Sequence, residues 1–118
     1  MFNFEKLETW HEAIAFADLV YKFTRQFPAE ERFGLTNQMR RAAVSISSNL
    51  AEGCSRSSRV DYARFVEIAA GSVFEVVSQA TIGRHQGFLT EVDYQQLYQA
   101  AEKQSRMLSG LRKSLETV

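Results

Sequence analysis

Apolar residues recur along this chain at steps of three and four, the spacing that places them on one face of an α-helix. The first run is Leu7, Trp10, Ile14, Ala17, Tyr21 and Thr24. Phe27-Pro28 predicts its end, because a residue preceding proline is driven out of the helical region. A second run, Leu35, Met39, Ala42, Ile46, Leu50 and Gly53, predicts a helix with Gly53 as its stop. The polar stretch CSRSSRVD follows, in which Ser57 or Ser58 can cap the next helix by accepting its free amide hydrogens. Val60, Ala63, Val66, Ala70, Val73, Val77 and Ala80 then carry a third helix to about Arg84. HQGFLTEVD turns the chain, with Gly87 as a stop and Thr90 with Asp93 spaced as in a capping box. The last helix has the cleanest register: Leu97, Ala101, Gln104, Leu108, Leu111 and Leu115. Four helices joined by short links predict an all-α, up-down-up-down four-helix bundle, with residues 1–118 forming one domain.

One feature exceeds what such a bundle can bury. Phe16, Phe23, Tyr62, Phe65, Phe74, Tyr94 and Tyr98 fall off these apolar stripes. Apolar area of that extent predicts a contact with another molecule, and a homo-oligomer is the expected one.

Charge narrows the partners. Fourteen Lys and Arg balance fourteen Asp and Glu, and ten of the fourteen cations are arginine. A dedicated nucleic-acid binder carries a net basic balance or a basic block, because its affinity comes from neutralising phosphates. The lone cysteine, Cys54, excludes an internal disulfide framework and a cysteine-built metal site. The opening residues MFNFEKLETW lack the long apolar core of a signal peptide, and no uninterrupted apolar run reaches membrane-spanning length, so a cytoplasmic protein without membrane contact is expected.

Catalytic chemistry finds little support. Glu8 and His11 have the Glu-x-x-His spacing used in di-metal bundles, but His85 is preceded at that distance by Ile82, so the second half-site is missing. Cys54 stands near Arg56, yet no base is paired with it. Gly71-Ser72 lies mid-helix, without the preceding strand that a phosphate loop requires, and reads as a place where another helix approaches closely. No catalytic residue, cofactor or metal is predicted.

The second helix carries an unusual polar stripe. Arg41, Ser45, Ser48 and Glu52 follow one another at steps of four, three and four, bordered by Arg40 and Asn49 and lying opposite the Met39, Ala42, Ile46 face. Small polar residues let helices pack closely while their polar groups pair across the contact. Glu52 and Glu75 are the expected carboxylate partners of the arginines, because a buried guanidinium must be paired to offset its desolvation. Arg40, Arg41, Ser45, Asn49, Glu52 and Glu75 are therefore expected to form one polar network at an interface.

Several elements occur together in order: Leu7 with Trp10, Tyr21, Phe27-Pro28 with Glu31, Phe33-Gly34-Leu35-Thr36, Gln38, Arg40-Arg41-Ala42, Ser45-Ile46, Asn49, Ala51-Glu52-Gly53, and Ala70-Gly71-Ser72 with Glu75. In these the chain resembles the four-helix-bundle family associated with intervening sequences of bacterial large-subunit ribosomal RNA genes. The resemblance implies an up-down bundle, rings of five subunits around a central opening, and no defining enzymatic activity. It also implies similarity in fold to the accessory proteins of diversity-generating retroelements, which bind a reverse transcriptase and nucleic acid and, unlike this chain, are strongly basic. Two readings stay open. One is a non-enzymatic homo-pentameric scaffold held by the polar network. The other is an RNA- or DNA-binding accessory protein, in which Arg40, Arg41, Arg56, Arg59 and Arg64 form a basic face of the oligomer and the partner is nucleic acid or an enzyme acting on it.

Overall fold

A computed structural model describes residues 1–116 of the chain. Four α-helices follow one another: α1 (Glu8–Thr24), α2 (Leu35–Cys54), α3 (Arg59–His85) and α4 (Glu91–Glu116), with 3-10 turns at Asn3–Lys6 and Ala29–Glu31. Each helix lies beside two others, α1 and α3 both packing on α2 and α4. Short links and long helices give a slender body of 47 × 22 × 21 Å.

The helix ends follow local chemistry. Ser58 caps α3 by accepting the Asp61 amide at 3.1 Å, and Thr90 accepts the Asp93 amide at 3.1 Å at the start of α4. Gly87, with φ of 81°, makes the left-handed turn between them. At the start of α2 the Glu31 carboxylate takes the Leu35 amide at 3.0 Å, an acid placed where the helix leaves its donors free. Gly53 has a different role from the expected stop. It is buried one residue before the end of α2, and a Cβ there would stand 2.7 Å from Cβ of Phe65. The residue lets α2 and α3 touch.

The core is continuous through all four helices. On α2 it takes Met39, Ala42, Ala43, Ile46 and Leu50, and on α4 Leu97, Ala101 and Leu108, as the apolar stripes predict. On α1 the buried face is rotated from the predicted one: Ala13, Phe16, Val20 and Phe23 point inward, Leu7, Trp10 and Ala17 flank them, and Ile14 is exposed. Phe16 and Phe23 thereby reach the core, each removing a large apolar area from water. The aromatic surplus is correspondingly smaller than expected. Phe16, Phe23 and Tyr94 belong to the core, Tyr62 packs against it and Phe65 is half-buried, leaving Phe74 and Tyr98 as the exposed members of the set.

Side-chain hydrogen bonds cross all four seams. Arg40 Nε donates to Thr24 Oγ1 at 2.9 Å between α2 and α1, and Ser72 Oγ donates to Ser45 Oγ at 2.9 Å between α3 and α2. Thr81 and Tyr94 hydroxyls meet at 3.0 Å between α3 and α4. Gln104 Nε2, fully buried, donates to the Thr9 carbonyl at 3.3 Å between α4 and α1. Surface ion pairs Lys103–Glu12 and Arg112–Glu67 join neighbouring helices and add little each, because solvent screens them. Helix α3 is long and apolar enough, with mean hydropathy of 1.3, to cross a membrane by length and composition alone. Here one face of it, Val66, Ala69, Val73, Val76 and Ala80, is packed into the core.

Candidate functional site

The polar stripe of α2 opens onto two neighbouring clefts. Across the α2–α3 seam, Gln38, Arg41, Ala42, Ser45, Ser72, Glu75 and Gln79 line a cleft of about 270 Å³. Ser45 is its hub: its hydroxyl accepts from Ser72 and from Asn49 Nδ2 at 3.0 Å, while the same Asn49 nitrogen donates to the Ser45 carbonyl at 2.7 Å. Arg41 and Glu75 share this cleft without an ion pair between them. Gln79 turns a buried Oε1 that has no hydrogen-bond partner among the described residues.

On the α1 side of the same stripe, Tyr21, Arg32, Phe33, Thr36, Asn37, Arg40, Arg41, Val44 and Ser45 line a second cleft of about 540 Å³. Arg40 is fixed there by two hydrogen bonds, to Thr24 and, from Nη2 at 3.5 Å, to the Tyr21 carbonyl, and it lies 4.5 Å from the centre of the Tyr21 ring. Cation–π contact and the two hydrogen bonds hold the guanidinium plane in one orientation. Arg32 stands 5.6 Å from the centre of the Phe33 ring.

The structure thus joins Arg41, Ser45, Asn49 and Glu75 along one seam and turns Arg40 toward α1. Glu52 lies apart from them. It pairs with Arg56 at 3.0 Å, one turn on at the far end of α2, and Ser48 is exposed. The five arginines of the basic reading fall into two groups. Arg40 and Arg41 stand near the start of α2. Arg56 follows its end, roughly 24 Å along at 1.5 Å per residue, where Arg64 pairs with Asp61 at 3.8 Å and Arg59 lines a groove with Glu67, Arg112 and Glu116.

The remaining candidate residues make local contacts. His11 Nε2 lies 2.6 Å from the Glu5 carbonyl and its ring packs edge-on against Trp10, and no group of three His, Cys, Asp or Glu among the described residues could hold a metal ion. Cys54, the last residue of α2, sits under the N-terminal turn beside Phe2 and Phe4. Burial, and then the neighbouring Cys54 side chain, raise the Tyr62 hydroxyl far above its ordinary range. Arg32 carries no sequence signal beyond a charge in a short link, and Phe33 only its place in the Phe33-Gly34-Leu35-Thr36 element. Their importance comes from the placement of that link over the start of α2.

A second surface is apolar. Outward along α3 stand Ile68, Phe74 and Ile82, 46%, 65% and 50% exposed. Gly71 lies among them with nothing within 4 Å of the Cβ it lacks. Phe74 continues into a groove of about 320 Å³ with Val73, Val77, Tyr98 and Ala101.

Comparison with known proteins places these features in a family. A family model described as 23S rRNA-intervening sequence protein matches residues 5–110. The fold resembles the crystal structure of a protein of unknown function from the S23 ribosomal protein family of Bacteroides thetaiotaomicron, with a TM-score of 0.79 and 20% sequence identity over 89% of this chain and 98% of that one. No curated protein matches the chain.

Proposed function

This chain belongs to the 23S rRNA-intervening sequence protein family, and we propose that it acts as a non-enzymatic scaffold that assembles with copies of itself into a cytoplasmic homo-pentamer. The outer strip of α3 carries this reading. Ile68, Phe74 and Ile82 are exposed apolar side chains on a helix whose opposite face already fills the core. Gly71 between them costs helix stability, about 1 kcal/mol relative to alanine, with no neighbour in its own chain to require it. A second copy approaching closely at Gly71 accounts for both features. The chain's net charge of zero opposes no such approach.

Size-exclusion chromatography with light scattering tests the reading on Phe74→Glu. The parent should run as a single oligomer and the variant as a smaller species with unchanged helix content. A parent that runs as a monomer at tens of micromolar removes the proposal.

The second reading, an accessory protein for nucleic acid or for an enzyme acting on it, draws support from another observation. The 540 Å³ cleft holds three arginines and no carboxylate in its lining.

A further inference from the structure

In a chain whose charges balance, an acid-free cluster of arginines is a local departure. Among the described residues no carboxylate lies within ion-pair distance of Arg32, Arg40 or Arg41. Of the nearby acids, Glu31 takes the Leu35 amide, and Glu75 lies in the neighbouring cleft, which Arg41 also lines, without an ion pair to it. Arg40 spends two of its five N–H groups on Thr24 and Tyr21, which leaves donors for a ligand on a guanidinium that is already oriented. An anion with several oxygens, above all a phosphate, matches paired arginines because it accepts from each fork through two oxygens.

The rest of the lining is not what a bare anion needs. Phe33 is 87% exposed at the mouth, where it contributes nothing to the core and presents a flat apolar face. Asn37, one turn away on α2 and exposed, offers both a donor and an acceptor. An aromatic platform beside cationic groups is the arrangement that stacks a base while neutralising its backbone. The volume of about 540 Å³ lies in the range of pockets that take small organic ligands.

We infer that the cleft between the start of α2 and the end of α1 binds a nucleotide unit, with Arg32, Arg40 and Arg41 on the phosphate and Phe33 stacked on the base. A free nucleotide and a single strand of nucleic acid share this chemistry. The inference rests on the second reading above and adds to it a location and a residue set.

Fluorescence anisotropy of a labelled oligoadenylate, with AMP and inorganic phosphate as competitors, tests it on the full chain. Arg41→Ala and Arg32→Ala are suitable because both side chains are exposed and neither carries an ion pair. Each should weaken binding about ten- to hundredfold and reduce the slope of log affinity against log salt by about 0.7 for each phosphate no longer neutralised. Phe33→Ala should weaken binding about five- to hundredfold and leave that slope unchanged. AMP competing on equal terms identifies a free nucleotide as the ligand, and an oligonucleotide bound far more tightly than AMP identifies a single strand. Oligonucleotide binding that survives all three substitutions overturns the site while keeping the nucleic-acid reading, and absence of saturable binding overturns both. Inorganic phosphate competing as well as AMP overturns the base platform. A changed oligomer mass in Arg41→Ala without nucleotide binding makes the cleft a subunit contact and overturns the inference.

Discussion

Replacing Gln104 by methionine should make this protein more stable. Gln104 is fully buried in the α1–α4 seam, where its Nε2 reaches the Thr9 carbonyl at 3.3 Å and its Oε1 meets no donor among the described residues. An unmet buried acceptor costs about 1–3 kcal/mol. The one bond the amide does make is long for an N–H···O contact, so its net worth is at the low end of about 0.5–1.5 kcal/mol. Losing it orphans nothing, because the Thr9 carbonyl still accepts from the amide four residues on within α1. Methionine has nearly the same length and volume, and a flexible thioether adapts to the space. The balance favours Gln104→Met by about 1–2 kcal/mol, or roughly 3–5 °C in Tm per kcal/mol for a chain of this size. Urea unfolding followed by circular dichroism, at one fixed protein concentration because assembly shifts apparent stability, should show a higher midpoint at unchanged slope. A loss of about 1 kcal/mol or more would show that Oε1 is satisfied in solution. Gln104→Glu sets the opposite limit, since a charge in that seam has no partner and should cost several kcal/mol.

Three further outcomes follow from the same packing. Gly53→Ala should destabilise by about 1–2 kcal/mol, because overpacking against Phe65 and Tyr62 exceeds the gain in helix propensity; an unchanged Tm in thermal unfolding would contradict the close approach of α2 and α3. Gly71→Ala adds a methyl that meets nothing in its own chain, so a lone protomer would gain about 1 kcal/mol. If a second copy packs there, assembly weakens instead, and plain stabilisation with unchanged mass on light scattering would count against the α3 strip as a contact. Tyr62 should ionise well above the ordinary tyrosine range in an absorbance titration. A hydroxyl raised in the folded state contributes stability that is complete below its unfolded value of about 10 and is lost as pH rises above it. Tyr62→Phe should remove that alkaline loss, and a Tyr62 ionisation centred near pH 10, read as the difference between parent and variant titrations, would contradict it.

How much of this was readable before the fold was known depended on the width of each apolar arc. In α2 and α4 the stripe is narrow, so Met39, Ile46, Leu50, Leu97 and Leu108 could be phased from spacing alone, and each is buried. Helix α1 is apolar over most of its circumference. Leu7, Trp10 and Tyr21 form as regular a series as Ala13, Phe16, Val20 and Phe23, and only packing volume decides between them. The same ambiguity in α3 hid which of its apolar residues stay outside. The polar stripe was visible as spacing, and Ser45 and Asn49 do hydrogen-bond along it. The partners of Arg40 could not be read, because Thr24 and Tyr21 lie across a helix-to-helix contact 16 and 19 residues away. Glu52 pairs with Arg56 rather than with Arg40 or Arg41 for a related reason: an i, i+4 pair is available within its own local chain. Arg32 and Phe33 belong to a link between helices, where periodicity carries no information about what the residues will face.

Self-assembly is read by native mass spectrometry of protein purified without nuclease treatment. A species of five times the chain's 13.5 kDa is expected, with Phe74→Glu shifting it toward single chains. A parent protein that flies only as a single chain would contradict the account, because the exposed strip of Ile68, Gly71, Phe74 and Ile82 would then face water.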